Sequence, residues 1–169
     1  ASDVYKRQPE GYQPVCATGT EKGIPAKNLA KDWAEYFAFA KETFSEKLMG
    51  EAGLCTAGEG FLAFGDNLYR MPERMPGVKG LKVLRPGLHL GTLKKNRFEP
   101  AHALALCPKD VKHVWNLSVE EAAAYLKGQT FSAEGEKGWY LICVDDISLG
   151  WGKLAGGIMK NHYPKGLRK

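Results

Sequence analysis

A single strongly capped helix among short apolar runs most constrains how this chain folds. Ser118-Val119-Glu120-Glu121 is a capping box, in which the side chains of Ser118 and Glu121 each accept a hydrogen bond from the other's backbone N–H. The helix is expected to end at Gly128, a residue type common just after the last turn. Short strands are predicted on both sides of it, at Val111–Leu117, Thr130–Ala133, Gly138–Val144, Ile147–Trp151 and Ile158–His162. One helix among short strands predicts a partly closed β-barrel.

The first half of the chain predicts a different unit, made of one helix and a small sheet. Asn28 is a candidate N-cap, and apolar residues recur at helical spacing from there to Leu48. Gly65-Asp66-Asn67 separates two apolar runs and indicates a hairpin. Two more strands are predicted at Leu81–Arg85 and Leu88–Leu93.

We therefore expect an α+β protein with two small domains. Residues 1–28 are typical of a linker or extended arm, and the first eight fit no element, as a non-native segment would. Residues 29–93 form the helix-plus-sheet domain, and residues 94–169 form the barrel. The barrel has one or two short helices, because Glu99–Leu106 also has a helical pattern with Pro100 in its first turn.

Positive charge is concentrated in two stretches that contain no acid. Residues 79–97 carry six Lys or Arg and residues 150–169 carry five, although the net charge of the whole chain is only +5. If the fold brings them together, they form a patch of roughly ten cations, which suits a phosphate backbone. Alternatively, both are solvated sheet edges, where lysine discourages aggregation. Charge alone leaves the two interpretations equally open.

The basic stretches also contain the groups with which proteins recognise RNA. Arginine binds phosphate through paired hydrogen bonds, aromatic rings stack on unpaired bases, and an amide can read a base edge. Core packing is the alternative for Trp151 and Phe98, and a structural role is the alternative for the histidines. The candidate RNA-binding residues are Arg85, His89, Lys94, Lys95, Arg97, Trp151, Lys153, Lys160, Asn161, His162, Tyr163, Lys165 and Arg168.

The sequence shows no recognisable catalytic or metal-binding set. The serines occupy a helix cap or ordinary strand contexts, without a His or Asp at informative spacing. The four cysteines are far apart, which argues against a structural zinc site, and we expect Cys107 and Cys143 to be reduced core residues. Asp145-Asp146 is several times more typical of a turn than of a catalytic carboxylate pair.

Nothing in the sequence indicates a membrane protein. No apolar run approaches the roughly 18 residues that a spanning helix needs. No signal peptide is evident either, so we expect a cytoplasmic protein without a membrane partner.

Two long motifs in the basic stretches resemble one protein family. The first is Leu84-Arg85-Pro86-Gly87-Leu88-His89-Leu90-Gly91, continuing through Lys94–Pro100, and the second comprises Leu149–Leu154 and Met159–Arg168. Both are similar to the C-terminal part of bacterial Sun/Fmu-type rRNA cytosine-5 methyltransferases, in the subgroup like ribosomal small-subunit methyltransferase F. Residues 118–128 also resemble the helix of that family's PUA-like RNA-binding domain.

The resemblance implies an intermediate domain at residues 29–93 and a PUA-like domain at residues 94–169. It also implies rRNA or the small ribosomal subunit as the partner. Family members bind S-adenosylmethionine in a Rossmann-like domain that supplies two catalytic cysteines, and neither Cys16 nor Cys55 has that catalytic context.

We therefore expect a non-catalytic RNA-binding portion with no cofactor of its own, acting beside the catalytic methyltransferase domain of the same parent chain. The alternative is a free-standing ribosome- or protein-docking module that uses the same basic surface.

Overall fold

Two helices and four strands are followed by two more helices and five strands in the part of the chain that the computed structural model describes. The described residues are 21–46, 60–72, 75–78, 80–95, 97–107 and 110–168. The helices are α1 (Ala26–Asp32), α2 (Ala34–Thr43), α3 (His102–Ala105) and α4 (Val119–Leu126), and a 3₁₀ turn spans Lys165–Leu167. The strands are β1 (Phe61–Phe64), β2 (Asn67–Arg70), β3 (Leu88–Lys94), β4 (Arg97–Pro100), β5 (Val114–Asn116), β6 (Phe131–Ser132), β7 (Gly138–Val144), β8 (Ile147–Ala155) and β9 (Ile158–Asn161).

The first sheet contains four antiparallel strands in the order β1-β2-β3-β4. The predicted hairpin at Gly65-Asp66 is confirmed, and Gly65 adopts the positive φ of 55° that such a tight turn favours. The predicted strand at Leu81–Arg85 is wrong, because this segment forms an irregular loop. Leu81 and Leu84 are 59% and 81% exposed there, so their apolar spacing does not reflect burial.

The predicted helix from Asn28 to Leu48 is divided into two. Asn28 lies inside α1 rather than at its N-cap, which is Pro25. The break falls at Trp33, whose backbone leaves the helical region at φ −127° and ψ 30°. The Trp33 side chain is 5% exposed, so the break accompanies burial of a large ring. α2 ends at Thr43, and Leu48 lies outside the described residues.

The predicted boundary between residues 93 and 94 falls inside the first sheet. β3 continues through Lys94, which pairs with Arg97 of β4. Residues 97–100 are therefore a strand and not the start of the predicted helix, which is reduced to the single turn of α3. The first sheet ends only at Pro100.

The second sheet has five strands in the order β5-β7-β8-β9-β6, with β5 parallel to β7 and the other pairs antiparallel. It curls as a partly closed barrel that carries α4 on one face, so the predicted α+β fold is confirmed. Asp145 and Asp146 form the β7–β8 turn with φ 46° and 61°, as predicted.

Both halves of the capping box at α4 are also formed. The Ser118 hydroxyl accepts from the Glu121 N–H at 3.2 Å, and the Ser118 N–H donates to the Glu121 carboxylate at 2.9 Å. Gly128 follows the helix with φ 92°, in the left-handed conformation expected there.

The second sheet buries both faces because successive strand residues point to opposite sides. One face packs against α4 in a cluster that includes Tyr125, Tyr140, Ile142 and Leu154. The other face belongs to the same core as the first domain, and this core includes Phe39, Phe98, Trp139, Cys143 and Trp151. The prediction of a buried cysteine is thus confirmed for Cys143 and wrong for Cys107, which is exposed.

The Phe39 ring of α2 is the point where the two sheets meet. Its centroid lies 5.3 Å from that of Phe98 in β4, 5.8 Å from Trp151 and 6.1 Å from Trp139. Such aromatic contacts stabilise the junction beyond simple area burial. The shared core therefore packs both sheets against α2 and sets the relative position of the two basic stretches.

Among the described residues, no helix is both long enough and apolar enough to cross a bilayer.

Candidate nucleic-acid interface

A row of side chains crosses the second sheet at the edge of the shared core, to which its first member belongs. Trp139 of β7 pairs with Lys153 of β8, which pairs in turn with Lys160 of β9. The Lys153 Nζ lies 5.0 Å from the centre of the Trp139 ring, within cation–π range. The His162 ring packs against the same indole at 4.5 Å and 65°. Trp139 is only 7% exposed and forms the floor beneath Lys153 and His162.

The β3–β4 hairpin of the first domain presents two further cations. Lys94 and Arg97 each contact the Glu99 carboxylate at 2.8 Å. The hydrogen bond from Lys94 is the main reason that the pKa of Glu99 is lowered from its ordinary value. Both cationic side chains are more than half exposed, so these ion pairs orient the cations more than they stabilise the fold. The trio keeps a net positive charge at the surface.

The two basic stretches meet at His162. Desolvation of the ring, which packs against Trp139, lowers the pKa of His162. The Glu99 carboxylate opposes this shift, and the charges of Lys153, Arg97 and Lys160 add to it. These charges come from β4 of one domain and from β8 and β9 of the other. We call Lys94, Arg97, Lys153, Lys160 and His162 the junction surface.

An open groove of about 680 Å³ lies beside the β3–β4 hairpin. Lys95, which also belongs to the predicted set, lines it together with Lys94 and Arg97. Glu35 and Asp66 line it too, so the positive potential of the groove is partly neutralised. The more strongly cationic region is therefore the side of the hairpin that faces β8 and β9.

Trp151 is a core residue, and its predicted role in base stacking is wrong. The side chain is 1% exposed, and its indole Nε1–H donates to the Ala101 carbonyl at 3.1 Å. An RNA base would have to displace Phe39 or Trp139 to reach the ring. Trp151 thus joins the two domains and does not contact a ligand.

Asn161 is committed to the fold, which contradicts its predicted role in reading a base edge. Its Nδ2 donates to the Tyr125 carbonyl at 2.7 Å and to the Gln129 carbonyl at 2.9 Å. Its Oδ1 accepts from the Tyr163 N–H at 2.8 Å. The amide therefore fastens β9 to the end of α4.

Arg168 and Tyr163 hold the last segment of the chain against the barrel. Arg168 donates from Nε and Nη2 to the Tyr163 carbonyl at 3.2 and 2.9 Å, so part of its guanidinium is already used. The partly exposed Tyr163 ring packs on Tyr125 at 5.6 Å and on His102 at 5.3 Å. Lys165 is exposed in the nearby 3₁₀ turn. For these residues, contact with RNA stays a prediction.

Arg85 and His89 belong to a different part of the molecule. Arg85 is exposed in the loop before β3, and His89 lies on β3 itself. Burial is the main cause that lowers the pKa of His89, and the nearby Arg85 charge lowers it further. His89 stacks on Tyr69 with ring centroids 4.8 Å apart. Sequence reasoning identified neither Tyr69 nor Trp139, because strand pairing determines both positions.

The curled sheet around one capped helix, with cations from two domains at its junction, defines a PUA-like RNA-binding module. Comparison with family models agrees. Residues 38–107 match the RsmF rRNA methyltransferase first C-terminal domain, and residues 112–169 match the methyltransferase RsmF PUA domain. The two adjacent matches together cover most of the chain, which belongs to the C-terminal region of the RsmF-type rRNA methyltransferase family. The gap between the two matches lies after α3 and before β5, so each match contains one of the two sheets.

Proposed function

We propose that this chain is the non-catalytic, RNA-binding C-terminal portion of an S-adenosylmethionine-dependent rRNA (cytosine-5) methyltransferase. In this proposal it positions rRNA for a catalytic domain of the same parent protein. One observation carries it: the shared core packs β4, which bears Arg97, and Trp139, which carries Lys153 and His162, against the same Phe39 ring. The charges of Arg97, Lys153 and Lys160 accordingly all act on the pKa of His162. A single RNA backbone passing this point contacts both domains at once.

Positioning is the role that such a surface performs. Contacts to phosphate fix the register and orientation of a nucleic acid without reading its sequence. Because Phe39 and Trp151 pack in one core, the two halves of the junction surface keep a fixed spacing. RNA held on it would present the target nucleotide to the catalytic domain in a restricted geometry, which lowers the entropic cost of reaction.

Cys143 lacks the features of a catalytic nucleophile. A nucleophilic cysteine needs a lowered thiol pKa and access to its substrate. Cys143 is 4% exposed, and burial raises its pKa. Its environment is the opposite of that of an activated thiol.

Charge reversal at the junction surface tests RNA binding by this chain. We expect the Arg97→Glu/Lys160→Glu variant to bind a small-subunit rRNA hairpin at least tenfold more weakly than the wild type, measured by fluorescence anisotropy. Lys31→Glu/Lys127→Glu is the matched control, since both lysines are exposed and lie on α1 and at the end of α4. Equal affinity for the wild type and the junction variant would refute the assignment and favour a protein-docking role.

A methyl-transfer assay tests the non-catalytic part of the proposal. The chain, incubated with radiolabelled S-adenosylmethionine and rRNA, is expected to leave the RNA unlabelled. Labelled 5-methylcytosine produced by this chain alone would refute that part and leave the RNA-binding part intact.

A further inference from the structure

The outer face of the first sheet carries aromatic side chains that the junction surface does not use. The inner face packs on the helices, and its aromatic residues are buried, with Phe61 0% and Phe98 5% exposed. A register shift between β2 and β3 pairs Leu68 with Gly91 but Tyr69 with His89. Leu90 and Gly91 are both buried as a result, and His89 emerges on the outer face beside Tyr69.

Three rings form a group on this face. Tyr69 and His89 are stacked, with centroids 4.8 Å apart and planes at 25°. Phe64 meets Tyr69 edge-on at 6.1 Å and is 40% exposed. Tyr69 and His89 are themselves only partly buried. The rings are therefore partly open to solvent and available to a flat partner.

The surrounding hydrogen bonds hold the rings in place. The His89 Nε2–H donates to the Gly91 carbonyl at 3.1 Å, which fixes the orientation of the imidazole. Thr92 donates from its hydroxyl to the Asn67 amide oxygen at 2.8 Å and ties β3 to β2 next to the stack. A ring that is already oriented loses little conformational entropy when it binds a flat partner.

Cations lie at both ends of the aromatic group. Arg85 is near His89 at one end, and Lys94 and Arg97 stand at the other end of β3 and on β4. His89 and Lys94 are five residues apart, or roughly 16 Å along a strand. Two acids lie near this part of the face: Glu99 is already paired with Lys94 and Arg97, and Asp66 is exposed in the turn after Phe64. Flat rings between cations complement unpaired bases on a phosphate backbone.

We propose that Phe64, Tyr69 and His89 form a base-stacking platform for single-stranded RNA in the first domain. The platform rests on the proposed function, since it extends the path of the same RNA from the junction surface across β4 and β3. It receives the unpaired nucleotides next to a structured rRNA element, while the junction surface holds the backbone. Each base stacked on such a ring strengthens binding by about fivefold to a hundredfold.

The experiment uses two probes and three variants. The probes are an unstructured RNA oligonucleotide with one central 2-aminopurine and a blunt rRNA hairpin. Tyr69→Leu removes the ring and Tyr69→Phe keeps it. Phe64→Leu provides a second aromatic loss at the exposed end of β1. We expect Tyr69→Leu to weaken oligonucleotide binding at least fivefold and to abolish quenching of 2-aminopurine. Tyr69→Phe is expected to keep both the oligonucleotide affinity and the quenching. The affinity for the hairpin is expected to change less than twofold in all three variants.

The outcomes separate the platform from the proposed function. Suppose that the wild type binds both probes and that both leucine variants bind the oligonucleotide as tightly as the wild type does. The platform is then refuted, and RNA binding by the junction surface stands. If the wild type binds neither probe, the proposed function fails together with the platform. Thermal melting of each variant identifies any loss that is due to unfolding, and Phe64→Leu then decides the result.

Discussion

Replacement of Trp151 by phenylalanine tests whether the two domains share one core. Trp151 is 1% exposed, and its indole Nε1–H donates to the Ala101 carbonyl between β4 and α3. Phenylalanine keeps part of the ring contact with Phe39 but removes one of the two donors to that carbonyl, which still accepts from the Leu104 N–H at 3.1 Å. Loss of this one hydrogen bond costs about 0.5–1.5 kcal/mol. The smaller ring also leaves a void, which costs about another 1 kcal/mol. We expect a total loss of about 1.5–2.5 kcal/mol.

Urea unfolding followed by far-ultraviolet circular dichroism measures this loss. With an m value of about 1–3 kcal/mol/M, the midpoint is expected to fall by roughly 1 M or more. The shift should affect one cooperative transition, because both sheets contribute to the core that contains Trp151. Trp115→Phe is the control, since Trp115 is partly exposed on the edge strand β5 and should lose much less stability.

RNA affinity provides the second measurement on the same variant. A buried Trp151 predicts that the folded Trp151→Phe protein binds rRNA as tightly as the wild type. A large loss of affinity with unchanged stability would show that the indole contacts RNA. Two separate unfolding transitions, of which only one shifts, would contradict the shared core.

Three further predictions follow from local features. Desolvation lowers the pKa of His89, His102 and His162 in the folded protein. The unfolded chain therefore binds more protons than the folded protein as the pH falls below about 6.5, and the melting temperature is expected to fall between pH 7.5 and pH 5.5. A constant or rising melting temperature would contradict this. Ser118→Ala removes one half of the capping box and should cost about 1 kcal/mol in urea unfolding, whereas Ser118→Asp should restore most of it. Gly91→Ala places a Cβ against the ring of Phe98 and should lower the melting temperature by several degrees; an unchanged value would refute the tight packing at the β3 bulge.

The sequence predicts best those elements whose signals are local. The capping box at Ser118 and the turn at Asp145-Asp146 depend on a few adjacent residues, and both are formed. The break at Trp33 accompanies the burial of one ring among distant residues, which no local pattern records. Leu81–Arg85 shows the converse, because its strand-like spacing coincides with exposed side chains.

The candidate site is predictable in outline but not in its individual contacts. Acid-free composition marks both stretches that contribute to the junction surface, and the shared core brings them together at His162. The pairing of Trp139 with Lys153 depends on a bulge between Ile142 and Cys143, which shifts the register of the hairpin by one residue. The burial of Trp151 likewise depends on a partner domain that its own strand does not specify.

The salt dependence of RNA binding tests the central claim most directly. Each phosphate neutralised by a protein cation contributes about 0.7–0.9 to the slope of log K against log salt concentration. The proposal that one RNA contacts cations of both domains predicts that Arg97→Gln and Lys160→Gln each reduce the slope by nearly that amount. The double variant is expected to reduce it by about twice as much. A slope that is unchanged in the double variant would contradict the account.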